Sequence, residues 1–149
     1  MQNRLTIMIV EDEAILSLDL EQMLIDSGHA VVGIAATQKQ ALLLAETHHP
    51  DLALVDLQLS DGPTGIAIAR HLATHGRTNV VFMTANSAML PEDFAGAIGV
   101  ISKPYVSSGV NAAMAFLQEG VLRPPPALKK PASLELSKFY SGRWFPPAG

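Results

Sequence analysis

The chain alternates short apolar runs with helical patterns, and this alternation occurs five times between Leu5 and Gln118. The apolar runs are rich in branched residues, as is typical of strands that are buried on both faces. They cover residues 5–10, 30–35, 52–55, 79–83 and 99–102. Five consecutive strand–helix units predict an α/β fold with a parallel sheet, right-handed crossovers and helices on both faces.

Local signals set the ends of several predicted helices. The first helix closes at Gly28, and the second opens with a capping box at residues 37–40. The third and last helices are predicted over residues 64–75 and 107–118 from their apolar stripes. Residues 86–95 predict a weak helix at best, because Pro91 interrupts the pattern.

Charge and proline content change near Leu122. Residues 1–122 hold 13 Asp and Glu against 5 Lys and Arg, whereas residues 123–149 carry a net charge of +4 and six of the ten prolines. This shift predicts one domain over 1–122, followed by a Pro-rich basic tail with an aromatic cluster and no output domain. Either the tail is a disordered extension, or it is a docking segment whose aromatic residues pack on the acidic body or on a partner.

Composition also narrows the classes of function. The acidic body disfavours nucleic acid as a partner. The absence of cysteine excludes disulfides and thiolate metal sites. No apolar run approaches the roughly 18 residues of a membrane span, and the N-terminus lacks the apolar core of a signal peptide. These features predict a cytoplasmic protein without a membrane partner.

Polar side chains follow four of the five predicted strands. Glu11 and Asp12 follow the first strand, Asp56 the third, Thr84 the fourth and Lys103 the fifth. In a sheet of order 2-1-3-4-5, strands one and three are neighbours, so three carboxylates would crowd together and repel each other unless a cation joined them. Oxygen ligands favour Mg²⁺. Such a site suits phosphoryl transfer, with Asp56 as the nucleophile that forms an aspartyl-phosphate.

The ordered set of these motifs resembles the receiver domains of bacterial two-component signalling, over about residues 4–119. The matching segments are Ile9-Val10-Glu11-Asp12-Glu13, Asp51-Leu52-Ala53-Leu54-Val55-Asp56, Thr84-Ala85 and Lys103-Pro104. The resemblance implies a flavodoxin-like (βα)5 doubly wound parallel sheet of order 2-1-3-4-5. It also implies that Asp56 accepts a phosphoryl group from a histidine kinase or a phosphotransfer protein, in a receiver of the stand-alone, single-domain type.

The same resemblance implies the roles of individual residues. Asp12, Asp56 and the backbone carbonyl of Gln58 would bind Mg²⁺, with Glu11 acting mostly through water. Thr84 and Lys103 would contact the phosphoryl oxygens. The peptide bond before Pro104 would be cis.

The chain departs from the receiver pattern at the position three residues before Lys103. Receivers usually carry Tyr or Phe there, and this chain has Val100, which leaves Tyr105 as a candidate for part of that switching role. The expected function is a phosphorylation-dependent switch that alters contacts with an unknown target protein and catalyses only its own phosphorylation and dephosphorylation. The alternative is a receiver-fold interaction module that works without phosphorylation. An aspartyl-phosphate phosphatase is disfavoured, because Gln58 stands where that class needs a second acid.

Overall fold

The computed structural model describes residues 4–148, and its centre is one six-stranded sheet of order β2-β1-β3-β4-β5-β6. The strands are β1 (Thr6–Val10), β2 (Ala30–Ala35), β3 (Leu52–Val55), β4 (Asn79–Thr84), β5 (Gly99–Ser102) and β6 (Leu134–Leu136). Strands β1 to β5 are parallel to one another, and β6 is antiparallel to β5. The predicted α/β fold and the order 2-1-3-4-5 are confirmed, and a sixth strand is added at one edge.

Five α-helices surround the sheet in the described part of the chain. They are α1 (Ala14–Asp26), α2 (Gln38–His48), α3 (Gly65–His75), α4 (Ser107–Leu122) and α5 (Lys138–Trp144). Thr37 caps α2, because its side chain accepts a hydrogen bond from the amide of Gln40, as the capping box predicts. Within residues 4–148, none of the helices combines the length and apolarity that are needed to cross a bilayer.

Alternate residues of the strands point to opposite faces of the sheet and form two cores. Ile7 and Ile9 of β1 lie in a cluster with the apolar residues of α1 and α4. Met8 and Val10 lie in a second cluster with those of α2 and α3. The central strands are therefore covered on both sides, which explains why they are apolar without a break.

The connection from β4 to β5 differs from the weak helix that the sequence predicts over residues 86–95. Two short 3₁₀ turns, Ser87–Met89 and Phe94–Gly96, stand in its place. Pro91 lies between them, and Phe94 and Ala95 have left-handed backbones with φ of 52° and 51°. A proline and two left-handed residues are incompatible with a continuous α-helix at this place.

The chain after Leu122 returns to the sheet. Helix α4 ends at Leu122, where the composition changes, and the basic segment that follows contributes β6 and α5. Leu134 is fully buried, and Trp144 is 5% exposed. A disordered extension therefore does not describe residues 134–144. The sequence gives no separate signal for β6, because the strand has only three residues and lies in a Pro-rich stretch.

Candidate functional site

The candidate site lies at the carboxyl edge of the parallel sheet, where four strands end at a similar level. Val10 of β1 is in register with Val55 of β3, so the residues that follow these two strands are neighbours. The amide of Asp56 donates to the carbonyl of Val10 at 2.9 Å, which fixes the start of the loop after β3. Carboxylate oxygens of Glu11, Asp12 and Asp56 lie within 4.8 Å of one another.

Lys103 joins two of these carboxylates across the sheet. Its Nζ donates to Glu11 Oε1 at 2.6 Å and to Asp56 Oδ2 at 3.0 Å. The side chains of Lys103, Glu11 and Asp56 are only 16%, 6% and 15% exposed. Burial lowers the pKa of Lys103, but the hydrogen bonds that it donates to the two carboxylates, together with their negative charges, outweigh burial and hold the pKa above its usual value. Lys103 is therefore a permanent cation in the site at physiological pH.

Glu11 is the most enclosed acid of the group. Burial raises its pKa, and the neighbouring charge of Asp56 adds to this effect, whereas the hydrogen bond from Lys103 opposes it. Its second oxygen, Oε2, accepts from the backbone amides of Asp12 and Glu13 at 3.1 and 3.3 Å. Glu11 is thus held in one position by Lys103 and the backbone, while Asp12 is exposed at the mouth of the site.

Thr84 lies at the end of β4 and is almost fully buried. Its Oγ1 accepts a hydrogen bond from the amide of Asn86 at 3.0 Å, and its carbonyl accepts from the amide of Lys103 at 2.8 Å. The threonine is therefore linked both to the start of the β4–β5 connection and to the lysine. Gln58 is exposed two residues after Asp56.

The residues expected to take part in switching lie on β5 and just after it. Val100 is 2% exposed, in register with Phe82 on one side and Glu135 on the other. The Lys103–Pro104 peptide bond is cis, as expected. Tyr105 is half-buried against the core beneath α1 and α4, and this burial raises its pKa.

A groove of about 360 Å³ lies between the residues that follow Lys103 and the C-terminal segment. Pro104 and Tyr105 line one side of it, and Ser133 and Glu135 line the other. Sequence reasoning missed this contact, because nothing in the linear chain places residues 133–135 beside residues 104 and 105.

The donor chemistry of the site fits Mg²⁺. The three clustered carboxylates offer only oxygen atoms, which are the ligands that hard divalent cations prefer. Lys103 supplies one positive charge against these three negative charges. The cluster therefore keeps a net negative charge that a divalent cation would neutralise.

Comparison with known proteins agrees with this geometry. The family model for the response regulator receiver domain matches residues 7–115. The phyllosphere-induced regulator PhyR of Methylorubrum extorquens is 33% identical over 126 residues, which are 78% of this chain and 46% of the relative. The transcriptional regulatory protein PdtaR of Mycobacterium tuberculosis is 35% identical over 111 residues, which are 72% of this chain and 54% of the relative.

A solved structure extends the comparison. The receiver domain of PhyR from Erythrobacter litoralis, determined in solution by NMR, aligns with a TM-score of 0.68 at 27% identity and covers 85% of this chain and 98% of that domain. This chain spans about half the length of the curated relatives it matches. The family match covers most of the parallel sheet and the residues Glu11, Asp12, Asp56, Thr84 and Lys103, whereas Ser133 and Glu135 lie outside it. The chain belongs to the response regulator receiver family.

Proposed function

We propose that this protein is a phosphorylation-dependent signalling switch in the cytoplasm, in which Asp56 accepts a phosphoryl group from a histidine kinase or a phosphotransfer protein. The observation that carries the proposal is the position of Lys103, whose Nζ lies 3.0 Å from Asp56 Oδ2 and 2.6 Å from Glu11 Oε1. A cation at this distance neutralises charge on a group that becomes more negative during the reaction.

The transfer is a displacement at phosphorus. An oxygen of the Asp56 carboxylate attacks the phosphorus atom, the bond from phosphorus to the donor's imidazole nitrogen breaks, and its electron pair stays on that nitrogen. Asp56 Oδ2 is held by Lys103, which leaves Oδ1 as the attacking atom. The Thr84 hydroxyl already accepts a hydrogen bond from Asn86, so its own hydrogen can donate to a phosphoryl oxygen.

Mg²⁺, held by Asp12, Asp56 and the backbone carbonyl of Gln58, would supply positive charge to the phosphoryl oxygens. Glu11 would act on the ion mostly through water, and its two oxygens also accept hydrogen bonds from Lys103 and from backbone amides. It holds the ammonium of Lys103 beside Asp56 before the reaction begins.

The output of the switch is a change in contacts with other proteins. Phosphorylated Asp56 would draw Thr84 and Lys103 towards the added oxygens, a local electrostatic event with a wider consequence. Thr84 is hydrogen-bonded to Asn86, which opens the exposed stretch 85–89 before β5. The surface that changes is therefore the β4–β5 connection, and the partner is a protein that contacts it in one state.

Phosphorylation by acetyl phosphate tests this function. The wild-type chain should gain one phosphoryl group by mass spectrometry when Mg²⁺ is present and none when Mg²⁺ is removed by a chelator. Asp56→Asn should abolish the gain. Asp26→Asn, an exposed aspartate at the end of α1, is the matched control and should leave it unchanged. Labelling that persists in Asp56→Asn would show that another residue accepts the phosphoryl group. No labelling of the wild type, from this donor or from histidine kinases, would favour an interaction module that works without phosphorylation.

A further inference from the structure

Residues 131–145, called here the C-terminal cover, pack against β5 and α4. Strand β6 pairs with β5 in antiparallel register, with Leu136 opposite Gly99 and Leu134 opposite Ile101. The amide of Ser137 then donates to the carbonyl of Ile98 at 2.9 Å. The cover therefore occupies the hydrogen-bonding edge of β5 from Gly99 to Ile101.

Two apolar side chains anchor the cover to the body. Leu134 is fully buried in the cluster beneath α1 and α4. Trp144, 5% exposed, packs edge-to-face on Phe116 of α4 with ring centroids 5.9 Å apart. Burial of large apolar side chains stabilises the docked position of the cover. These anchors supply the attraction that a three-residue strand could not supply alone.

The surface of the body is shaped to receive this segment. A Cβ atom on Gly99 would stand 2.2 Å from the carbonyl oxygen of Glu135, and one on Gly120 would stand 2.6 Å from the indole of Trp144. Both glycines belong to the receiver body, and the clashing atoms belong to the cover. Glycine at both positions therefore allows the cover to approach the body this closely.

Without the cover, β5 would be an exposed edge strand. Its residues Val100 and Ile101 are apolar, and its unpaired backbone groups would be a template for pairing with another chain. The strand it now pairs with runs antiparallel. A second copy of β5, related by a two-fold axis, would also run antiparallel to the first. The edge therefore accepts either its own β6 or another β5.

We propose that the C-terminal cover masks a self-association surface, so that its displacement allows β5 to pair with β5 of a second copy of this chain. The inference goes beyond the switch proposed above, because it depends on the edge of β5 and not on the chemistry of Asp56. It predicts that the chain is a monomer while the cover is docked and a concentration-dependent dimer when the cover is released.

The test uses the full chain with substitutions confined to the cover, which leaves β5 unchanged. Leu134→Asp places a charge in a fully buried position, and Trp144→Ala removes the larger anchor. Phe139→Ala is the matched control for the latter, since Phe139 is an aromatic residue of α5 that is 66% exposed. Sedimentation velocity over a range of concentrations reports dimers. Hydrogen exchange read by mass spectrometry reports protection of residues 134–136 and of residues 99–101.

Both anchor variants should lose protection at 134–136 and sediment as dimers at concentrations where the wild type and Phe139→Ala are monomers. In the dimers, residues 99–101 should regain protection as concentration rises. Variants that lose the cover and stay monomeric, or that dimerise while 99–101 exchange freely, would overturn the proposal. Protection at 134–136 that survives Leu134→Asp and Trp144→Ala together would also overturn it, since the cover would then be inseparable from the sheet. Protection of β1 and β3 from hydrogen exchange checks that the body stays folded. If Trp144→Ala unfolds the body, the milder change Trp144→Leu takes its place.

Discussion

Gly120→Ala separates the intrinsic preference of a helix from its packing against the C-terminal segment. Gly120 lies inside α4, where replacement of glycine by alanine normally stabilises a protein by about 0.5–1 kcal/mol. Here the new Cβ would lie 2.6, 2.9 and 3.1 Å from three ring carbons of Trp144. Such separations are shorter than van der Waals contact, so the indole or the helix that carries it has to move.

The cost of that movement follows from what surrounds the indole. Trp144 is 5% exposed and lies against Phe116 and Tyr140, with centroids 5.9 and 5.1 Å away. An added methyl group in a packed core costs about 1–3 kcal/mol. Subtracting the helix gain of about 0.5–1 kcal/mol leaves a net loss of up to about 2.5 kcal/mol, with a midpoint near 1. Loss of the whole tryptophan contact, about 3–5 kcal/mol for truncation of a buried Trp, is the upper limit.

Equilibrium unfolding in urea measures the change in the free energy of unfolding. Gly142→Ala is the control, because Gly142 lies in α5 and its Cβ would meet nothing within 4 Å. That control should be neutral or slightly stabilising. In a Trp144→Leu background, which makes room for the methyl group, Gly120→Ala should stabilise the protein. The reasoning is refuted if Gly120→Ala stabilises the wild type as much as it stabilises Trp144→Leu.

Three further predictions concern titration, metal and charge. Burial lowers the pKa of His29 below 6.5, and its Nδ1 accepts from the amide of Leu5. The unfolded chain therefore binds more protons than the folded chain as pH falls below 6.5, so the urea midpoint should fall with pH in this range. The midpoint of His29→Asn should depend less steeply on pH, and an equal dependence in the two proteins would contradict the reasoning. Mg²⁺ at tenfold its Kd should stabilise the wild type by about 1.4 kcal/mol in thermal unfolding, and Asp12→Asn should lose most of this gain; a wild type that shows no shift would count against the metal site. Lys103→Met should lower the free energy of unfolding in urea by about 2 kcal/mol, since Glu11 and Asp56 lose their shared cation. Lys39 is an exposed lysine on α2, and Lys39→Met should change this free energy little.

The core of the fold and the candidate site could be predicted from sequence because both rest on local patterns. The strand limits 30–35, 52–55 and 99–102 match β2, β3 and β5 as predicted. Parallel strands bring their carboxyl ends to one edge, so the residues after them had to meet once the order was right. The distances that make Lys103 a bridge between Glu11 and Asp56 depend on side-chain placement, which the linear pattern does not contain.

The C-terminal segment could not be predicted in the same way because its structure depends on distant contacts. Residues 134–136 have no alternation long enough to indicate a strand, and they become one only because the edge of β5 is available. Composition showed where the character of the chain changes, and α4 does end at Leu122. Composition carries no information on whether the segment beyond that point returns to the body. The aromatic residues of the segment were the one exception, since Trp144 is one of its two anchors.

The connection between β4 and β5 packs in the same part of the core as Val100, where the chain departs from the receiver pattern. Pro91 prevents a helix between β4 and β5, and the connection lies instead close against the sheet, with Ala95 and Ala97 each 1% exposed. Val100 belongs to the same apolar cluster as these alanines. Val100 also lines the groove of about 360 Å³ beside Pro104 and Tyr105. The hydrogen bond from Asn86 to Thr84 links the site directly to this connection, so a shift of Thr84 would reach the connection first.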